Sequence, residues 1–234
     1  MPKIISILFM LLLLSCYKAT NHSSATTETA SNIKQPKPDL FSVENKVLYG
    51  GQAYKIVNID GQVWFAENLN YKAENSVCYE NNPDNCAKYG RLYNWETALK
   101  ACPKGWHLPS KAEWDELYRL IDGTVSKNPH YSNTGEHLKL VSSRLKATGG
   151  WGSDGNGTDD YGFSALPGGY NNPDRKFFSG AGSIGFWWTA TQIPDFISPD
   201  DAYFREIADR YNDNSVYKNF ANISLLFSVR CIKD

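Results

Sequence analysis

The chain has 234 residues and a formal net charge of −1, from 24 basic and 25 acidic residues. That length suits one main domain with an appendage. The balanced charge lacks the basic surface of a nucleic-acid-binding protein, so nucleic acid is not expected as a partner. Aromatic residues make up 14 % of the chain, which predicts either a binding surface that displays them or an irregular core that they fill.

The N-terminus has the pattern of a lipoprotein signal. An unbroken apolar run from Ile4 to Leu14 is too short for the roughly 20 residues that a membrane-spanning helix needs. It ends in Leu13-Leu14-Ser15-Cys16, which resembles a bacterial lipobox and predicts lipidation of Cys16. The alternative is an ordinary secretory signal followed by a chance cysteine.

This pattern divides the chain into three parts. Residues 1–15 are the predicted signal peptide, and residues 16–45 form a polar, flexible tether because small polar residues cannot repay the entropy of ordering. Residues 46–234 form the folded domain. Buried lipid chains would make the membrane a partner, and the predicted location is the bacterial envelope, as an outer-membrane lipoprotein.

The four cysteines other than Cys16 predict two disulfide bonds, although four cysteines allow three pairings. Cys78 and Cys86 flank a polar, turn-rich loop of seven residues, which favours a local bond. That pairing leaves Cys102 and Cys231 to close a long loop. A zinc site is the rival interpretation, but the sequence has no Cys-x-x-Cys pair and the compartment is oxidising.

Strand and helix signals alternate along the domain. Asp60-Gly61 between two apolar runs predicts a hairpin with a type I′ turn. Short helices are predicted over Tyr93–Ala101, from the capping box Ser110-Lys111-Ala112-Glu113 onward, and over Glu136–Lys146. After a glycine-rich loop, five further strands are predicted; they are Phe163–Leu166, Gly185–Thr191, Ala202–Ile207, Ser215–Phe220 and Leu225–Ile232. Helices in the first half and strands in the second predict an α+β domain with helices packed on a small antiparallel sheet.

Five separated segments of the domain form a recognisable set; they are Tyr54–Tyr71, Tyr89–Leu117, Gly162–Tyr170, Gly185–Thr191 and Phe227–Asp234. Their sequences and their order resemble the Fibrobacter succinogenes major paralogous domain family, over nearly all of the chain from about Tyr49 onward. The resemblance implies an envelope lipoprotein with a fold akin to the C-type lectin-like and formylglycine-generating-enzyme group. It implies no established activity. The reactive cysteine pair of formylglycine-generating enzymes is not carried over, because only Cys231 lies in the late part of the domain.

The glycine-rich loop supplies the best candidate for a metal site. Its oxygen-bearing side chains are typical of a calcium loop; they are Asp154, Asn156, Thr158, Asp159 and Asp160. No glutamate stands at the twelfth position, which is Ala165, and a solvated turn is the alternative interpretation. Calcium is therefore the one cofactor predicted.

Four further residues are candidates for a functional role. His107 is predicted to be a hydrogen-bonded structural histidine, because catalytic use needs a placed partner. Trp151, Trp187 and Trp188 are the candidate ligand contacts. Trp187 and Trp188 are adjacent in a strand, so alternation would place one ring inward and the other outward; the alternative is that the long loops cover both rings.

No residue pattern indicates catalysis, which favours a non-catalytic module that binds a surface glycan or protein. The alternatives are an enzyme of the formylglycine-generating-like group with unidentified chemistry, or a structural envelope component.

Overall fold

The folded part of the chain is mostly β-structure in two sheets, with a few short helices between the strands. The computed structural model describes residues 42–43, 45–122, 135–152, 154–208 and 216–234. The predicted signal peptide, the tether as far as residue 41 and the lipidation site at Cys16 lie outside the described residues. The helices described here include none that is long and apolar enough to cross a membrane.

The first sheet has six antiparallel strands in the order β1-β2-β3-β4-β14-β7. Its strands are β1 (Ser42–Val43), β2 (Lys46–Tyr49), β3 (Gln52–Ile59), β4 (Gln62–Phe65), β7 (Trp106–His107) and β14 (Ile232–Lys233). The predicted hairpin is confirmed as β3 and β4, with Asp60 and Gly61 both at positive φ. The C-terminal strand is thereby paired between β4 and β7.

The second sheet has eight strands and mixed polarity, because β10 pairs in parallel with β8 and β13. Its main order is β12-β11-β10-β13-β6-β5, and β8 and β9 form a hairpin beside β10. The strands are β5 (Ser76–Val77), β6 (Leu92–Tyr93), β8 (Gly168–Asn172), β9 (Phe177–Ala181), β10 (Ile184–Gln192), β11 (Asp201–Ala208), β12 (Val216–Asn222) and β13 (Phe227–Ser228).

Four α-helices and one 3-10 turn (Tyr79–Asn81) connect these strands. The helices are α1 (Pro83–Tyr89), α2 (Trp95–Ala101), α3 (Lys111–Asp122) and α4 (Gly135–Leu145). The predicted capping box is confirmed at the start of α3, where Ser110 N donates to Glu113 Oε2 at 2.7 Å and Glu113 N donates to Ser110 Oγ at 3.2 Å. Helix α1 was not predicted, because its residues looked like a turn-rich loop.

The predicted α+β, C-type lectin-like class is wrong. The first half of the chain supplies seven strands as well as helices, so the molecule is a two-sheet β-structure and not a small sheet with helices packed on it. Several strands are only two residues long, and all of these except β1 are held by pairing with more distant segments of the chain. A two-residue strand shows no alternation in sequence, so these strands could not be read from the local pattern.

Strand β10 separates two apolar cores. Trp187 and Trp188 are both fully buried, and they point to opposite faces of the strand. Trp188 packs with Tyr93, Phe204 and Phe227 on one side. On the other side, Trp187 packs near Trp114, which belongs to α3. Both faces of this strand are therefore internal.

Both predicted disulfide bonds are present. Cys78 bonds Cys86 across eight positions, and Cys102 bonds Cys231 across 129 positions. The first bond links the start of the 3-10 turn to α1. The second joins the end of α2 to the residue before β14, so it fixes the C-terminal strand in the first sheet.

Candidate functional site

A polar cleft of about 200 Å³ opens between β3, the segment after β4, and the end of α1. The residues that line it include six with polar or charged side chains; they are Gln52, Lys55, Glu67, Asn70, Lys88 and Ser164. Drug-sized sites are roughly 300–1,000 Å³. The cleft therefore has room for one small polar group, such as a single sugar ring.

Asn68 forms the floor of the polar cleft and links four segments. Its side-chain oxygen accepts from Trp187 Nε1 at 2.8 Å and from Arg230 Nη2 at 2.8 Å. Its side-chain nitrogen donates to the carbonyl of Tyr89 at 2.9 Å. Since Asn68 is only 5 % exposed, these bonds hold β10, α1 and the C-terminal segment in fixed positions around the cleft.

Arg230 lies behind this floor as a buried cation. Its guanidinium donates to the carbonyls of Phe65 and Phe163, and to Asn68. Burial lowers the pKa of Arg230 to about 9, and the negative charges of Glu67 and Asp159 offset part of that shift. The group therefore carries a positive charge at neutral pH, and it sits directly beneath the lining of the cleft.

Ser164 lines the polar cleft in a strained conformation. Its φ of 52° lies in the left-handed region, which costs a non-glycine residue about 1–3 kcal/mol. Asp159 holds it there, because Asp159 Oδ1 accepts from Ser164 N at 2.7 Å and Asp159 Oδ2 accepts from Ser164 Oγ at 2.6 Å. The serine hydroxyl proton is thereby directed to Asp159, and the oxygen keeps a lone pair for another donor.

The remaining lining groups keep unused hydrogen-bonding capacity. Glu67 Oε2 accepts from Lys55 N at 2.9 Å, and Asn70 Nδ2 donates to Gln52 Oε1 at 3.1 Å. Within the described ranges, no protein partner is found for the other oxygen of Glu67, for the side-chain oxygen of Asn70 or for the nitrogen of Gln52. Donors and acceptors therefore stand side by side in the cleft.

Four of the five residues predicted to bind calcium form hydrogen bonds or ion pairs with protein groups. Asn156 Oδ1 accepts from Trp151 N at 3.1 Å, and Thr158 Oγ1 donates to Ser143 O at 3.3 Å. Asp159 binds Ser164, and Asp160 pairs with Arg144 at 3.3 Å, while Asp154 is exposed at a φ of 61°. The described residues contain no group of three His, Cys, Asp or Glu side chains that could hold a metal. Calcium binding by this loop stays a prediction.

The three candidate tryptophans are not at the surface. Trp151 is 5 % exposed, and Trp187 and Trp188 are fully buried. Each indole nitrogen donates inside the protein, to Ala165 O, Asn68 Oδ1 and Tyr93 O respectively. Of the two alternatives for the Trp187–Trp188 pair, the outward-facing ring is excluded, because an apolar core covers each face of β10. These rings are structural.

His107 is hydrogen-bonded at both ring nitrogens, as expected of a structural histidine. Nδ1 lies 2.7 Å from Asp234 Oδ1, and Nε2 lies 2.8 Å from Glu113 Oε1. Burial by itself would lower the pKa of His107, but the hydrogen bonds to the two carboxylates outweigh it and raise that pKa. The imidazole therefore ties β7 to the start of α3 and to the last residue of the chain.

The model of one protein family, the Fibrobacter succinogenes major domain, matches residues 57–233. The chain belongs to that family. No curated protein and no solved structure matches the chain. The matched range of the Fibrobacter succinogenes major domain includes Glu67, Asn68, Lys88, Ser164 and Arg230, whereas the β3 wall with Gln52 and Lys55 lies before it.

Sequence reasoning missed the polar cleft, although two signals were available. Glu67, Asn68 and Asn70 are three polar residues within five positions of the end of the strand Gln62–Phe65. The other signal is Gly162–Tyr170, a segment quoted for the family resemblance, which carries Ser164 into the cleft. No sequence feature indicated that Lys88 lines the cleft, because α1 was not recognised as a helix.

Proposed function

We propose that this protein is a non-catalytic ligand-binding module of the bacterial envelope and that the polar cleft takes one unit of a surface glycan. The observation that carries the proposal is the unused hydrogen-bonding capacity of the cleft. A sugar hydroxyl both donates and accepts, so it matches a lining in which ammonium and amide donors alternate with carboxylate, amide and hydroxyl oxygens. The size of the cleft fits a single ring.

The rigidity of the lining also supports binding. Asn68, Arg230 and Asp159 fix the floor of the cleft, the carbonyl of Tyr89 and Ser164 through buried or part-buried hydrogen bonds, so this part of the lining loses little freedom when a ligand enters. A preorganised site loses less free energy to ordering. The strained backbone of Ser164 is of the kind that clusters at functional sites.

The proposed location in the bacterial envelope is supported by the N-terminal sequence and by the cysteines. The lipobox-like segment ending at Cys16 supports a lipid anchor in the outer membrane. The two disulfide bonds fit a chain that has left the reducing cytoplasm. Mass spectrometry of the mature protein would test this location. We expect acyl groups on an N-terminal Cys16, and an unmodified N-terminus would contradict the proposed lipid anchor.

Binding is tested with a glycan array probed with the full-length chain and with two single variants. Asn70→Leu places an apolar side chain in the cleft and removes an acceptor, so it should abolish the signal. Asn219→Leu makes the same change on β12 at an exposed position, and it should bind like the wild type. An array without any bound glycan, or equal binding by Asn70→Leu and the wild type, would contradict the proposal.

A further inference from the structure

The polar cleft carries more positive than negative charge. Lys55 enters it from β3 and Lys88 from α1, and Glu67 is the one carboxylate among its lining residues. Arg230 adds a third cation behind the floor, 2.8 Å from the Asn68 oxygen. These three cations outnumber the carboxylates of Glu67 and of Asp159, which binds the lining residue Ser164, so the field inside the cleft favours an anion.

The two lysines are not neutralised by their neighbours. One oxygen of Glu67 accepts from the backbone nitrogen of Lys55. Neither lysine ammonium lies within ion-pair distance of a carboxylate in the described parts of the chain. Elsewhere in the protein, Lys111 and Lys218 both pair with Asp115, at 3.5 Å and 3.0 Å. The cleft lysines therefore keep their ammonium donors for a ligand.

Lys88 is held at the cleft by its neighbour. Its ammonium lies 4.7 Å from the ring centroid of Tyr89, which is within the range of a cation–π contact. Tyr89 is buried and also lines the cleft. The charge of Lys88 is thereby kept near the opening without being cancelled, since a ring face carries no net charge.

From this arrangement we propose that the polar cleft is selective for acidic sugars, with the ligand carboxylate placed between Lys55 and Lys88. This inference rests on the proposed function and narrows its ligand class. The carboxylate of a uronic acid accepts from the two ammonium groups. The ring hydroxyls are left to Glu67, Asn70 and Ser164, which supply acceptors.

Lys55 brings its ammonium to the cleft from β3. It lies before residues 57–233, the range that the family shares, whereas Glu67, Asn70 and Ser164 lie inside it.

The test compares uronic-acid oligosaccharides with the same oligosaccharides after chemical reduction of their carboxyl groups to alcohols. Titration calorimetry with the full-length chain should give at least tenfold tighter binding of the acidic form. Lys55→Gln combined with Lys88→Gln should remove that difference, so that the variant binds the acidic form no more tightly than the reduced form. Lys104→Gln, an exposed lysine away from the cleft, is the matched control, and thermal unfolding of each variant checks that it is folded.

The outcomes separate the two proposals. Equal affinity for the acidic and reduced forms overturns the acidic preference and leaves a glycan-binding cleft. The same conclusion follows if the double lysine variant keeps the full preference. Absence of binding to either form, and to the neutral glycans of the array, overturns the proposed function as well.

Discussion

His107 and Asp234 are 127 positions apart in the chain, yet the Nδ1 of the histidine lies 2.7 Å from the Oδ1 of the aspartate. The other ring nitrogen contacts Glu113 at the start of α3. Both carboxylates favour the protonated imidazole. The contact therefore makes attachment of the C-terminus dependent on pH.

We expect the stabilisation from this contact to decrease as the pH rises. Since the folded-state pKa of His107 is raised, its contribution is complete below the unfolded value of about 6.5 and is lost above the folded value. The pKa of Glu113 is lowered; burial opposes this, but hydrogen bonds from Ser110 and His107 outweigh it. The contribution of Glu113 is therefore lost only towards acid, below about pH 4.5.

The measurement is the melting temperature Tm of the wild type and of His107→Gln across this range. The wild type should exceed the variant by more at about pH 6 than at about pH 8.5. The contacts are partly exposed, so the effect should stay at or below about 1 kcal/mol. A difference in Tm that does not change with pH would contradict the coupling between His107 and the two carboxylates. Lys104→Gln is the control, because it changes an exposed residue near His107 in the chain without removing these contacts.

The two disulfide bonds should differ in what they contribute to stability. In the chain-entropy description, closing a loop of 129 positions gives about 5 kcal/mol, and closing one of eight gives about 2.5 kcal/mol. Denaturant unfolding of Cys102→Ser with Cys231→Ser should therefore show the larger loss. The pair Cys78→Ser with Cys86→Ser is the comparison, and a larger loss from this second pair would refute the expected order.

Gly90 should tolerate no side chain. Its φ of 77° and ψ of −171° lie in a region that is essentially restricted to glycine. An added Cβ would also lie 2.8 Å from the Cβ of Asn68 and from the carbonyl of Leu69. Gly90→Ala should destabilise the protein by more than about 3 kcal/mol, because backbone strain and a clash add together.

The matched comparison is Gly51→Ala. Gly51 has a φ of 81°, but nothing lies within 4 Å of the position that an added Cβ would occupy, so this substitution should cost only the backbone strain of about 1–2 kcal/mol. Chemical unfolding measures both variants. Equal losses would show that the contact with Asn68 and Leu69 carries no weight, and that the floor of the cleft can move.

Calcium should have little effect on the stability of this chain. Four of the five predicted ligands already bind protein groups, so a calcium ion would have to replace those bonds. We expect the same Tm in millimolar calcium and in a chelator, because a bound ion would raise it by mass action. A clear rise in Tm with calcium that Asp159→Asn abolishes would support a calcium site in this loop.

The sequence was sufficient for features that are encoded locally. The β3–β4 hairpin follows from Asp60-Gly61, the start of α3 from Ser110 and Glu113, and the local disulfide from the short spacing of Cys78 and Cys86. In each case the deciding residues lie within about ten positions of one another. Such signals depend on turn chemistry and capping, which act within a few residues.

The fold class and the polar cleft could not be predicted in this way. Ile232 pairs with Trp64 on one side and with His107 on the other. No residue near Ile232 in the chain indicates either partner. The cleft likewise combines Lys55, Lys88 and Ser164, which come from three separate parts of the chain. Placing them together requires the whole topology.

Trp187 and Trp188 pack into the two apolar cores on opposite faces of β10. If either core unfolds, β10 is displaced and the other core is exposed to water. Heating should thus produce one cooperative transition for residues 46–234, and fragments that end within Ile184–Gln192 should not fold alone. Any engineered split or circular permutation of this protein would have to be placed well away from that strand.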